Sequence, residues 1–242
     1  NSSADATVAI GKTAQATGNA AVAVGSDAKA LAQNTVAVGI HAKATNQRGV
    51  AVGTYSEATA DNTVAVGGFS KATSERATAV GLLAKASGES SFAGGAAANA
   101  SGANSIAIGG ATDGSSADSK SAAKAVGAQA IAVGYKSKAE GENTIAQGNN
   151  ATAKGAQAIS VGLDSKAEGA NTIAQGNNAT ATGQNSIAQG ISSVAQTTAD
   201  IALHVFVIEY PVYHHRIRFC VPRMRTHNVA RIKISPCSTW KL

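Results

Sequence analysis

The chain has 242 residues, of which 44% are hydrophobic but only 4% aromatic, and it contains 26 Gly. This composition excludes an ordinary core of large side chains, and the regular spacing of the apolar residues excludes disorder. The formal net charge is +6, yet residues 1–200 carry 13 Lys or Arg and 13 Asp or Glu, so the excess charge lies in residues 201–242. The neutral body therefore gives no indication of nucleic-acid binding.

A glycine recurs every 14 residues along most of the chain, which is typical of a repeat architecture. The step from Gly109 to Gly134 is 25 residues, so 11 residues interrupt the period. The triplet Ala123-Lys124-Ala125 restores the register before Gly134, which places the insertion at residues 110–120. The repeating glycines are Gly11, Gly25, Gly39, Gly53, Gly67, Gly81, Gly95, Gly109, Gly134, Gly148, Gly162, Gly176 and Gly190.

Each 14-residue coil has the same order of residue types, as in Val22-Ala23-Val24-Gly25 followed by Ala28-Lys29-Ala30. Both segments alternate with a period of two, which predicts two short strands per coil. A coil of this length is too short for a helical crossover, so strands of successive coils are expected to stack in parallel as two sheets. The sequence predicts an all-β solenoid of about thirteen coils, roughly 60 Å long at the usual strand spacing.

The alternation also assigns the faces of each strand. The small residues are expected inside, because methyl groups fill a narrow roll without overpacking. The branched residues then form an apolar ladder on the outer face of the first sheet, and its burial between chains predicts a homo-oligomer. Three Gln in the ladder favour this assignment, because amides are satisfied more easily between chains than in an alanine core. The predicted interface residues are Val22, Val24, Val36, Val38, Val50, Val52, Val64, Val66, Ile106, Ile108, Ile131, Val133, Gln147, Gln175 and Gln189.

Two segments depart from the repeat. Residues 110–120 are polar and rich in Gly and Ser, so we expect a surface loop, either a tolerated excursion or a ligand-binding loop. Residues 201–242 contain all three Pro and both Cys but no Gly. We interpret them as an atypical basic tail, foreign to residues 1–200 or read out of frame. A capping segment, a basic nucleic-acid arm and a zinc site are the alternatives, although Cys220 and Cys237 fit no familiar zinc spacing.

Side chains suited to catalysis are sparse in residues 1–200. The one His, His41, stands next to a turn, and no nucleophile or second base recurs beside it. Carboxylates such as Asp27 and Glu57 are interpreted as solvated surface charges. No enzyme activity, cofactor or metal site is therefore expected. No apolar run reaches the length that a transmembrane helix requires.

The strand and glycine hexapeptides closely resemble the YadA-like head of the trimeric autotransporter adhesins. Asn62-Thr63-Val64-Ala65-Val66-Gly67, Asn104-Ser105-Ile106-Ala107-Ile108-Gly109 and Asn185-Ser186-Ile187-Ala188-Gln189-Gly190 are clear instances, and the resemblance covers about residues 5–196. It implies a left-handed parallel β-roll, a side-by-side homotrimer, and display as an extracellular head at the outer membrane of a Gram-negative bacterium. It further implies a virulence role in attachment to host extracellular matrix, such as collagen, or to host cells. The neck, stalk and anchor that normally follow the head are not recognised, so direct membrane insertion is not expected.

Two stretches come closest to the family's collagen-associated motif, Asn62 to Ser70 and Asn104 to Thr112. We expect any binding to be distributed along the outer surface and strengthened by multivalency. A structural spacer or self-association module without its own ligand is the alternative function. The predicted ligand-binding residues are Asn62, Thr63, Val64, Val66, Gly67, Ser70, Asn104, Ser105, Ile106, Ile108 and Gly109.

Overall fold

The computed structural model describes residues 5–111 and 120–203. The regular secondary structure in these residues consists entirely of β-strands. Each coil contributes a strand of three residues and a strand of two residues, because its two alternating segments are that short. In chain order the strands are β1 (Val8–Ile10), β2 (Gln15–Ala16), β3 (Val22–Val24), β4 (Lys29–Ala30), β5 (Val36–Val38), β6 (Lys43–Ala44), β7 (Val50–Val52), β8 (Glu57–Ala58), β9 (Val64–Val66), β10 (Lys71–Ala72), β11 (Thr78–Val80), β12 (Lys85–Ala86), β13 (Phe92–Gly94), β14 (Asn99–Ala100), β15 (Ile106–Ile108), β16 (Lys124–Ala125), β17 (Ile131–Val133), β18 (Lys138–Ala139), β19 (Ile145–Gln147), β20 (Thr152–Ala153), β21 (Ile159–Val161), β22 (Lys166–Ala167), β23 (Ile173–Gln175), β24 (Thr180–Ala181), β25 (Ile187–Gln189), β26 (Val194–Ala195) and β27 (Ile201–Leu203).

The strands form two parallel sheets that run the length of the roll. Odd-numbered strands make a 14-stranded sheet and even-numbered strands a 13-stranded sheet. Neighbouring strands pair in register at a step of one coil, so Val22 lies beside Val36. The register is kept across the insertion, where Ile106 pairs with Ile131. The predicted parallel β-roll of about thirteen coils is confirmed.

The core of the roll consists of small side chains. The middle residue of an odd strand, such as Ala65, and the second residue of an even strand, such as Ala72, are fully buried. Among the described residues, no fully buried side chain is larger than that of Thr. The two sheets therefore approach closely and leave no room for a Val or Leu core, which confirms the predicted placement of small residues inside.

Two turns close each coil, and each turn contains a residue in the left-handed conformation. In the first turn, which follows an odd-numbered strand, Asp27 has a φ of 57°; in the second turn, which follows an even-numbered strand, Asn34 has a φ of 58°. Their backbone N–H groups donate to carbonyl groups of the preceding coil: Asp27 to the Lys12 carbonyl and Asn34 to the Asn19 carbonyl, both at 2.9 Å. The turns therefore continue the hydrogen bonding of the sheets and hold residues 14 positions apart on top of one another.

The chain leaves the stack at the predicted insertion and returns in register. Before it, the Ala111 N–H donates to the Ala96 carbonyl at 2.9 Å; after it, the Ser121 carbonyl accepts from the Lys136 N–H at 2.8 Å. Most of the predicted insertion, residues 112–119, and most of the predicted tail, residues 204–242, lie outside the described residues.

Strand β27 corrects the predicted start of the tail. Ile201, Ala202 and Leu203 pair with the three residues of β25, so the roll continues three residues past position 200. Their sequence, an aliphatic residue, then Ala, then a second aliphatic residue, is the pattern of the other odd-numbered strands. The sequence prediction followed the glycines and stopped too early, because the residue 14 positions after Gly190 is His204.

Candidate adhesive surface and trimer interface

The first and third residues of the odd-numbered strands point outward, and we call this row the apolar ladder. Its side chains are half-buried or exposed in the single chain; Val80 is 40% exposed and Ile108 is 43% exposed. At β13 the ring of Phe92 lies over Gly94, where an added Cβ would be 2.8 Å from the Phe92 Cε1 atom, so the apolar surface stays continuous. All of the predicted interface residues lie on this ladder: Val22, Val24, Val36, Val38, Val50, Val52, Val64, Val66, Ile106, Ile108, Ile131, Val133, Gln147, Gln175 and Gln189.

Three exposed Gln side chains mark the C-terminal part of the ladder. Gln175 lies directly beside Gln189, whereas Val161 separates Gln175 from Gln147. A chain that covers this face must offer these amides hydrogen-bonding partners, because burying an unpaired amide costs free energy.

The hydroxyl groups of the first predicted ligand motif are buried. Thr63 and Ser70 have no exposed surface. The Thr63 hydroxyl donates to the Ala60 carbonyl at 2.6 Å, and the Ser70 hydroxyl donates to the Gly67 carbonyl at 2.8 Å. Both bonds close a turn from within the roll. The prediction that Thr63 and Ser70 contact a ligand is therefore wrong.

Ser105, in the second predicted motif, is also fully buried, which removes it from the candidate contacts, although its hydroxyl has no hydrogen-bond partner in the described part of the chain. Asn62 and Asn104 occupy the left-handed turn position immediately before these buried residues, with φ of 59° and 55°. Both Asn residues are exposed. Of the polar side chains in the described part of the two motifs, these amides are the ones that a large ligand can reach.

The remaining predicted ligand residues serve the fold or the ladder. Val64, Val66, Ile106 and Ile108 belong to the apolar ladder. Gly67 and Gly109 have φ of 129° and 143°, a region that only glycine adopts readily. Their recurrence in every coil is thus explained by backbone geometry.

Aromatic rings stack along the first turn, and sequence reasoning missed them. The ring centroids of His41 and Tyr55 are 4.7 Å apart, and those of Tyr55 and Phe69 are 5.1 Å apart. Tyr55 is 44% exposed and Phe69 is 47% exposed. All three occupy left-handed positions, where bulky residues are uncommon. Reading every fourteenth residue as a column would have revealed the stack.

The outer face of the second sheet is basic, which sequence reasoning also missed. Lys43 Nζ is 3.6 Å from one Glu57 carboxylate oxygen, and Lys71 Nζ is 3.0 Å from the other. These residues lie at one position of three successive coils. Glu57, predicted to be a solvated charge, therefore lies between two stacked lysines.

Among the described residues, Asp27 is the titratable group whose pKa is shifted, and the shift is downward. The hydrogen bond from the Thr13 hydroxyl lowers the pKa of Asp27, and His41, whose Nδ1 is 3.8 Å from an Asp27 oxygen, also lowers it. In residues 5–111 and 120–203, no three His, Cys, Asp or Glu side chains are grouped so as to hold a metal ion. These described residues contain no helix with the length and apolar character needed to span a membrane.

Comparison with known families gives one result that spans the described roll. The model of the YadA head domain repeat matches residues 2–28, 30–56, 58–84, 86–112, 125–151, 139–165, 153–179, 167–190 and 181–203. Among solved structures, the chain is similar to the collagen-binding domain of the Yersinia adhesin YadA, at 21% sequence identity and a TM-score of 0.40, over 70% of this chain and 73% of that chain. No curated protein sequence matches the chain.

Proposed function

The chain belongs to the YadA head family, and on that premise we propose that it is the non-catalytic head of a bacterial surface adhesin that attaches to host extracellular matrix or cells. The observation that carries the proposal is the repeat match, which covers all thirteen coils. We further propose collagen as a ligand to test, because the similar Yersinia domain is named for collagen binding.

The apolar ladder supports assembly into a homotrimer. Val80, Ile108 and Ile10 are 40%, 43% and 60% exposed in the single chain, and they lie in one continuous row. A continuous apolar surface of this kind is normally covered in a soluble protein. Three copies arranged side by side about an axis would bury it and pair the Gln amides between chains. The basic face of the second sheet is then directed outward, since burying unpaired lysines would be costly.

Trimer formation determines which surfaces remain for a ligand. With the apolar ladder inside the trimer, the turns and the second sheet face solvent. Asn62 and Asn104 lie on one turn, and the ring stack that contains Tyr55 and Phe69 lies on the other. Equivalent positions recur in every coil, so weak contacts on three chains would combine through multivalency.

A solid-phase binding panel of collagens, fibronectin and laminin against the full chain tests the proposal. We expect Asn62→Ala to weaken binding by no more than about fivefold, since one exposed contact contributes below about 1 kcal/mol. Removal of three whole coils should weaken binding far more through lost avidity. Ser70→Ala is the matched control: it replaces a buried hydroxyl by the Ala found at the same position of other coils, such as Ala84, and should leave binding unchanged.

A structural spacer is the second candidate function, and the buried hydroxyls favour it. Thr63 and Ser70 explain the motif by turn formation alone, without any ligand. If a folded trimer binds no matrix protein and no cell in the panel, the spacer function replaces adhesion.

A further inference from the structure

One row of side chains on the outer face of the second sheet is strongly basic. The first residue of each even-numbered strand points outward, and in seven of the thirteen strands that residue is Lys. Glu57 is the one acidic residue in the row. We call this set the lysine row: Lys29, Lys43, Lys71, Lys85, Lys124, Lys138 and Lys166.

The lysine row concentrates basic residues on one face of the roll, although the net charge of residues 1–200 is zero. Residues 1–200 are formally neutral, yet the row holds seven of their 13 basic residues. Several acids lie elsewhere in the coil, as Asp61, Glu75 and Glu89 do in the second turn. Glu57, Glu140 and Glu168 reduce the charge of this face locally, but between residues 29 and 85 the row has four Lys and one Glu, so its positive potentials add along the rigid roll.

The fold by itself does not require lysine at these positions. Parallel pairing places Lys29 beside Lys43 and Lys124 beside Lys138, about 4.8 Å apart along the stack. Like charges directly opposite each other are destabilising in a sheet. Thr152 and Thr180 occupy the same position in other coils, so a neutral residue fits there. The repeated lysines therefore cost stability, which a ligand of opposite charge would recover.

The surroundings of the row between Lys29 and Lys85 suit a carbohydrate. On one side, Thr45 and Thr59 are partly exposed and follow the even strands. On the other side lie the exposed rings of Tyr55 and Phe69. Hydroxyl groups hydrogen-bond to sugars, and aromatic rings pack against the apolar faces of sugar rings. A straight row of point charges, flanked by hydroxyls and rings, matches a linear, negatively charged sugar chain.

We propose that the lysine row binds a linear sulfated polysaccharide that lies along the axis of the roll. Each Lys presents a compact point charge, which attracts a sulfate group without fixing its orientation, so a sugar chain of irregular sulfation can bind along the row. This assignment goes beyond attachment to matrix proteins and uses a different face from the apolar ladder. Polysaccharide binding by the lysine row can therefore be present or absent whether or not the chain binds collagen.

Heparin immobilised on a sensor surface is the probe, and the full chain is the analyte. Replacing Lys29, Lys43, Lys71 and Lys85 together by Gln should weaken binding at least about tenfold, since four exposed charge contacts are lost. The matched control replaces Lys12, Arg48, Arg76 and Lys136 by Gln. It removes the same number of charges from turn positions and should change binding less than about threefold. Residues 204–242 contribute the same basic side chains to both variants, so a difference between the two variants reports on the replaced residues.

Glu57→Gln provides a gain-of-binding test that misfolding cannot mimic. It removes the carboxylate that lies 3.0 Å from Lys71 Nζ and 3.6 Å from Lys43 Nζ, so heparin binding should tighten about two- to fivefold and weaken with added salt. Equal losses in the two fourfold variants, or no change in Glu57→Gln, would overturn the lysine row as the site. Duplex DNA that competes as well as heparin at equal charge would overturn the polysaccharide assignment.

Discussion

A Cβ atom added to Gly67 would lie 2.5 Å from the carbonyl oxygen of Gly81, the equivalent residue in the next coil. Gly67 also has a φ of 129°, which residues with a side chain rarely adopt. The recurring glycine is thus required for two reasons: its backbone conformation disfavours a side chain, and the next coil leaves no space for a Cβ atom.

Gly67→Ala should lower the free energy of unfolding by about 3 kcal/mol, because strain and a backbone clash act together. The adjacent Gly68→Ala is the control. Its added Cβ would lie 3.3 Å from the flexible Leu82 Cδ1 atom and 3.8 Å from the Thr54 carbonyl oxygen, an ordinary contact, so the loss should stay below about 1 kcal/mol. Thermal and denaturant unfolding measure both, and equal losses would contradict the stacking explanation.

Ser160 is the one Ser at the middle position of an odd-numbered strand, and it contacts Ser165. Replacing either Ser by Ala should change the free energy of unfolding by unequal amounts. The Ser165 hydroxyl donates to the Gly162 carbonyl at 3.1 Å, so Ser160 is the donor in the 2.7 Å contact between the two hydroxyls. Ser165→Ala should cost about 1–3 kcal/mol, because it leaves the buried Ser160 hydroxyl unpaired. Ser160→Ala should cost little, since Ser165 keeps its carbonyl partner.

The double variant Ser160→Ala/Ser165→Ala should be more stable than Ser165→Ala alone, because it removes the unpaired hydroxyl. Denaturant unfolding of the three variants completes the cycle. A double variant less stable than either single one would contradict the assigned donor.

Val66→Asp should abolish the proposed homotrimer. Val66 lies on the apolar ladder, and in a symmetric trimer the substitution would bring three like charges together in an apolar interface. Sedimentation should then report a mass near the 23.8 kDa of one chain instead of three times that value. Thr73→Asp, on the exposed side of the second sheet, is the control that should remain trimeric. A Val66→Asp trimer of unchanged stability would rule out the ladder as the interface.

Thr13→Val should raise the pKa of Asp27 toward its ordinary value of 3.8, because the hydrogen bond from Thr13 is the main cause of the lowered pKa. A lowered pKa in the folded state means that Asp27 stabilises the fold above about pH 3.8, and that this contribution disappears as the pH falls through the folded-state pKa. An NMR titration of the Asp27 carboxyl measures the shift. Thr17→Val, which lacks this contact, should leave the pKa of Asp27 unchanged.

Much of the fold could be predicted from the sequence because the coil is a local pattern. The alternation around Val22-Ala23-Val24 and the freedom of Gly25 are properties of a few neighbouring residues, and they define strands, turns and inward faces. The same alternation placed the position of Ser70 inside the roll, which conflicts with the prediction of Ser70 as a ligand contact. The structure resolved this conflict by showing that the Ser70 hydroxyl is bonded to Gly67.

The sequence by itself determined the 14-residue period, the two parallel sheets, the alanine interior and the apolar ladder, since each follows from residue types close together in the chain. The tertiary structure alone decided which side chains meet. Parallel pairing in register brings residues 14 positions apart to about 4.8 Å, so His41 stacks on Tyr55 and Glu57 lies between Lys43 and Lys71. Charges that cancel when counted along the chain are thereby separated onto different faces, because stacking, and not chain order, determines their neighbours.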